Sequence, residues 1–172
     1  RDVKILQGKV LINGRSTSTV TLAAGILGGT GWAGAVNAVG GSFQPGLSPG
    51  IFTVTNLAMA GASELKMEII GTTPGTQHDQ LRVTGGPGAD VSLSGATLTL
   101  VVSPTLTLAD DAGFLLIDNQ GTEQISGLFS ALPEGTLVTV GNRQLAISYV
   151  GCDGNDVTLG TPCRSAAQTG IN

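Results

Sequence analysis

The segment TVTLAAGILGGTG (19–31) realigns on AVNAVGGSFQPG (35–46) at a shift of 16 residues, so that Val20 meets Val36, Gly25 meets Gly41 and Leu27 meets Phe43. A drifting period of about 16–20 residues is too short for two helices plus a strand. It fits one round of a chain that stacks each strand on its counterpart in the previous round. The rest of residues 3–70 agrees: KVLING, TSTVTLAAG, AVNAVGG, IFTVTNLAMAG and SELKMEIIG are short β-prone runs broken at glycines, with no convincing helical pattern. Glycine suits such corners because it accepts positive φ and lets another backbone come close.

Composition supports this. Only 12% of the 172 residues are charged and 27 are glycine, but 41% are hydrophobic, enough apolar surface for one folded domain. Aromatics make up just 3%, so Val, Ile, Leu and Thr must build the core, and β-branched side chains pack well on a pleated surface. The expected fold is all-β: a right-handed parallel β-helix with a C-terminal antiparallel hairpin cap. Alternation in SELKMEII and ATLTLVV predicts a dry aliphatic interior containing Leu65, Met67, Ile69, Leu98, Leu100, Leu115 and Ile117.

The C-terminal part changes character. ATLTLVV, LTLAD, GFLLID and GLFSALPEG still punctuate like rounds of the stack. TLVTVGNRQLAISYV then reads as a hairpin turning at Gly141-Asn142, and YVGCDGNDVTLG as a second one around Asp153-Gly154. Residues 1–136 are expected to form stacked rounds, 137–163 a cap covering the last round and its open edge, and 164–172 a polar tail. The start at Arg1 without a signal-peptide pattern suggests a processed form or a fragment.

SFQPGLSPGIFTV (42–54) places Pro45-Gly46 and Pro49-Gly50 four residues apart, two corners joined by a short edge, with a β-prone run directly after. On VGGSFQPGLSPGIFTVTNLAMAGASELKMEIIGTTPGTQHDQLRVTG, AGFLLID and LPEGTLVTVGNRQLAISYVGCDGNDVTL, residues 24–159 resemble the C-terminal part of bacterial autotransporter-type passengers and related large surface proteins. The resemblance implies a right-handed parallel β-helix that carries functional regions away from the cell, without catalysis in this portion.

Several constellations are candidates for chemistry. Gly151, Gly154 and Asp156 in GCDGNDVTL loosely match the calcium nonapeptide of Gly-Asp repeat toxins, making Asp153, Asn155 and Asp156 the candidate calcium ligands. There is one copy rather than a stack, so the first reading is a hairpin turn, and no cofactor is expected. His78-Asp79 is the one His–carboxylate pair, placed in a polar loop and read as a surface histidine rather than a general base. Glu64, Lys66 and Glu68 share the outer face of a strand and read as a solvated row; Asp110-Asp111 reads as a turn. Trp32, the sole tryptophan, is the candidate for stacking on a sugar ring, against a plain corner-covering role.

Cys152 and Cys163, with His78 as the only histidine, are too few ligands for a zinc site and are expected to form a disulfide worth about 2–3 kcal/mol. A disulfide places the chain outside the cell or on its surface. A net charge of −4 with scattered basic residues argues against nucleic acid, and no apolar run reaches the ~18–20 residues of a membrane span. The expected function is a non-enzymatic stalk, display scaffold or adhesive module of a bacterial surface protein. Its expected partners are a cell-surface glycan, a host or matrix component, or further copies stacked end to end into a filament. The alternative is a polysaccharide-binding or polysaccharide-cleaving β-helix protein; pectate lyases share that architecture, but no cluster of Asp, Arg and Lys on one strand face is legible here.

Overall fold

The computed structural model describes residues 2–86, 88 and 90–163, so the 164–172 tail lies outside the described residues. Sixteen strands and no helix occur among them. In chain order the first eight are β1 (Val3–Ile5), β2 (Lys9–Leu11), β3 (Val20–Leu22), β4 (Ile26–Gly29), β5 (Val36–Ala38), β6 (Gly41–Pro45), β7 (Ile51–Val54) and β8 (Leu57–Met59). They continue as β9 (Ser63–Ile69), β10 (Gln80–Val83), β11 (Val91–Ser92), β12 (Thr97–Val102), β13 (Gly113–Asn119), β14 (Leu137–Val140), β15 (Arg143–Gly151) and β16 (Asp156–Gly160).

These strands form three sheets. The first runs β1-β3-β5-β8-β11 and the second β2-β4-β6-β9-β12, both parallel throughout. The third runs β7-β10-β13 in parallel and then adds β16, β15 and β14 antiparallel. From β5 to β13 the chain visits the first, second and third sheets in that order, three times over. The 16-residue shift read from sequence is the pairing register itself: Val20 lies beside Val36 and Leu27 beside Phe43.

Inward side chains of all three sheets meet in one hydrophobic cluster that joins most of the expected aliphatic residues to Phe43, Phe52, Phe114, Phe129 and Tyr149. On β9 burial alternates strictly, with Leu65, Met67 and Ile69 fully buried. The double Pro-Gly stretch carries the chain from the second sheet to the third. Gly46 has φ +87°, and a Cβ there would collide with the backbone nitrogen of Gly50 and the carboxylate of Asp79. The two corners therefore fold against each other, and they place Phe43 of β6 and Phe52 of β7 edge to face, 5.2 Å between centroids.

Three expectations about the interior need correction. Leu98 and Leu100 pack on the core but stay half-buried, because β12 is the last strand of its sheet and has no neighbour on its far side. Leu115 is also half-buried, whereas Phe114, Leu116 and Ile117 are fully buried. A bulge in the β13–β16 pairing, between Leu115 and Ile117, shifts the alternation so that Leu116 and Ile117 both face protein. LTLAD and GLFSALPEG form no strands; they run as covering segments with Leu108 and Phe129 buried.

Both hairpins form. Val140 pairs with Arg143 across Gly141-Asn142, with positive φ only at Gly141, the pattern of a type II′ turn. Gly151 pairs with Asp156 across the second turn. The antiparallel strands join the edge of β13 and so continue the third sheet, while Ser126–Ser130 runs beside β11 through backbone hydrogen bonds and extends the first. Tyr149 fastens the two together: its hydroxyl donates to the Leu132 carbonyl (2.7 Å) and accepts from the Phe129 amide (3.1 Å).

Candidate functional site

The His78-Asp79 pair sits between β9 and β10, where the chain leaves the second sheet for the third. Contrary to the surface-loop expectation, His78 is 1% exposed, its ring packed edge to face on Phe114 at 5.2 Å. The loop folds in on itself through Ile70, Gly71, Gly75 and Gln77 backbone bonds, which turns the histidine towards the core. Neither ring nitrogen has a well-formed hydrogen bond. Burial lowers the His78 pKa, opposed by the Leu115 and Gly71 carbonyls nearby, so the ring is neutral at neutral pH. The histidine borders a cleft of about 730 Å³ walled by Thr72, Gln77, Thr107, Asp111 and Thr161.

Asp79 faces elsewhere. One carboxylate oxygen accepts the Gly50 amide (2.8 Å) and the other the Glu68 amide (2.7 Å), tying the double Pro-Gly corner to the end of β9. Burial raises its pKa to about 6, against the lowering effect of those two amides. His78 and Asp79 thus form no catalytic dyad. Beside Asp79 a groove of about 330 Å³ is bordered by Lys9, Gln44, Ser48, Lys66 and Glu68. The outer row Glu64, Lys66 and Glu68 is half-buried, Glu64 accepting from the Thr99 hydroxyl (2.6 Å) and Glu68 from Ser48 (2.6 Å). The bond from Thr99, then that from Ser42, holds the Glu64 pKa below the ordinary carboxylate range.

At the second hairpin Cys152 and Cys163 form the expected disulfide, Cα atoms 5.1 Å apart. Asp156, 4% exposed, accepts the Asn119 amide at 2.8 Å. Burial raises its pKa to about 7, and the neighbouring Asp153 and Asp118 push the same way. Asn155 is 5% exposed; its Nδ2 donates to the Gly121 carbonyl (2.9 Å) while its Oδ1 has no partner. Among the described residues, no three His, Cys, Asp or Glu side chains are gathered as a metal centre. Thr158, which stands where the nonapeptide has an apolar residue, is buried like one. Asp110 lies in the expected turn and pairs with Arg143.

Trp32 is half-buried, with the Arg15 guanidinium 4.2 Å from its ring centroid. It belongs to a row the sequence reading missed. Parallel pairing aligns Arg15 with Trp32, Trp32 with Thr53, Thr53 with Arg82 and Arg82 with Asp118, all on the outside of the third sheet or its extension. Arg82 Nε donates to Asp118 Oδ2 at 2.9 Å. Arg15 was within reach of sequence: it precedes Trp32 by the same offset as Val3 precedes Val20. Arg82 and Asp118 were not, because their offsets include long insertions. No family model and no curated protein sequence matches the chain.

Proposed function

We propose that the chain is a right-handed parallel β-helix serving as a non-enzymatic stalk, display scaffold or adhesive module of a bacterial surface protein. One observation carries the reading: from β5 to β13 the chain passes three times through the same three sheets in the same order, each strand pairing in parallel with its counterpart in the previous round. Such stacking makes length without a deep central site, which suits holding other regions at a distance. The disulfide suits an oxidising, extracellular setting. The resemblance of residues 24–159 to autotransporter-type passengers points the same way. Of the His78-Asp79 pair, Asp79 ties the double Pro-Gly corner to the end of β9 and the His78 ring packs on Phe114.

The test is to remove one round, residues 35–54, from the protein in its native surface context. The proposal expects a shorter but still displayed projection by electron microscopy, with no enzymatic activity lost. Loss of a polysaccharide-cleaving activity from the intact protein, measured by release of reducing ends, would overturn it in favour of an enzyme. Polysaccharide binding is the second reading, favoured by the Arg15–Trp32–Thr53–Arg82–Asp118 row, since an aromatic ring flanked by planar polar groups suits sugar hydroxyls. Retention on immobilised polysaccharide, lost in Trp32→Ala, would support it.

A further inference from the structure

We infer that Asn13-Gly14 is a site of spontaneous backbone modification, at which the Asn13 side chain closes on the Gly14 nitrogen and reopens as an isoaspartyl or aspartyl residue. Two steps of the chain have the sequence for such ring closure, Asn13-Gly14 and Asp153-Gly154, because a following glycine offers the least hindered backbone nitrogen. The structure separates them. The Gly154 amide donates to the Gly151 carbonyl at 2.7 Å, and Cys152 beside it is bonded to Cys163, so that nitrogen is held in a fastened turn. The Gly14 amide donates to no group among the described residues, and both Asn13 and Gly14 are exposed just beyond the end of β2.

Asn13 is also set up as the electrophile. The Thr30 amide donates to its Oδ1 at 3.3 Å, the oxygen on which negative charge builds as the Gly14 nitrogen attacks Cγ. Gly29 leaves room for that side chain, since a Cβ there would lie 2.8 Å from Asn13 Oδ1. The Gly14 nitrogen gives its proton to solvent base and bonds to Asn13 Cγ, and the side-chain nitrogen leaves as ammonia. Water then opens the cyclic imide at either carbonyl. Opening at the main-chain carbonyl routes the backbone through Cβ and Cγ, longer by one carbon–carbon bond of about 1.5 Å. This corner has no slack for the added atom. The Gly31 amide donates to the Ile12 carbonyl and the Trp32 amide to the Gly14 carbonyl, each at 2.8 Å, so Asn13 lies between two fixed bonds to the next round. Lengthening the chain between Ile12 and Gly14 pulls one of them apart and shifts Arg15 from its place 4.2 Å over the Trp32 ring.

The test incubates the folded protein in mildly alkaline buffer at physiological temperature, beside the same chain unfolded in urea, and then digests both with trypsin. Cleavage after Lys9 and Arg15 isolates residues 10–15. From the folded protein this peptide should gain the mass of an amide-to-acid exchange and accept label from an isoaspartate-specific methyltransferase. The peptide carrying Asp153-Gly154 should accept label only from the unfolded sample. Converted protein should melt roughly 2–6 °C lower, with a changed fluorescence of Trp32, the sole tryptophan. Gly14→Ala sits where a Cβ meets open space and φ is not positive, so it should fold as the wild type by circular dichroism and lose the conversion over the same incubation. Two results would overturn the proposal. One is an unconverted 10–15 peptide in the folded protein after a time that converts the unfolded chain, which would show that the corner keeps Asn13 Cγ away from the Gly14 nitrogen. The other is conversion at Asp153-Gly154 ahead of Asn13-Gly14 in the folded protein, which would show that the Gly154 hydrogen bond does not decide between them.

Discussion

Asp79 makes stability fall as pH rises, opposite to what a salt-bridged carboxylate does. Its pKa is about 6 in the folded protein against 3.8 for an unperturbed aspartate, because burial outweighs the two amides that favour the charged form. The folded state therefore holds more protons than the unfolded chain between these values, and stability drops with increasing pH across that window. The two pKa values imply a loss of about 3 kcal/mol once both states are ionised, most of it between about pH 4 and pH 7. Asp79→Asn removes the titration. Its amide can accept from only one of the Gly50 and Glu68 amides, so it should carry a pH-independent cost of about 1–2 kcal/mol. Urea unfolding of wild type and variant across this range isolates the effect, since all other titrating groups are common to both. The wild-type advantage should shrink by about 2–3 kcal/mol towards neutral pH. A flat difference, or an advantage that grows with pH, would show that the amides prevail over burial and refute the reasoning.

Leu65 and Leu98 are register partners with different exposure. Leu65→Asp should abolish folding by burying an unpaired charge, while Leu98→Asp, at the open edge, should cost only about 1–3 kcal/mol by urea unfolding. Tyr149→Phe should lose about 1–3 kcal/mol, because the buried Phe129 amide loses its acceptor and the Leu132 carbonyl its donor; thermal unfolding measures it. Intact mass should rise by two hydrogens on reduction of Cys152–Cys163, with a stability loss of about 2–3 kcal/mol; alkylation of both thiols without reductant would contradict the bond.

Strand class, corners and early registers were legible in the residues alone. Those rest on local chemistry and short-range repetition: glycines where the chain turns, β-branched runs between them, and one offset that pairs Val20 with Val36 and Leu27 with Phe43. Gly141-Asn142 likewise specified its own hairpin, since two residues suffice to define such a turn. Which apolar residues become interior depends on strand neighbours that are distant in the chain. Leu98 has the same alternation as Leu65, but its strand ends a sheet, and exposure at an edge depends on a neighbour far along the chain. At β13 the bulge opposite β16 exchanges Leu115 for Leu116, and a bulge arises from pairing between strands, leaving no mark on either alone. The polar residues followed the same rule. His78 and Asp79 read as a solvated loop because their own segment is polar; they are buried because Phe114, Gly50 and Glu68, from three other parts of the chain, close around them. The acids near residue 153 were visible as a motif, but the unpartnered oxygen of Asn155 exists only once Gly121 has taken the other end of its amide.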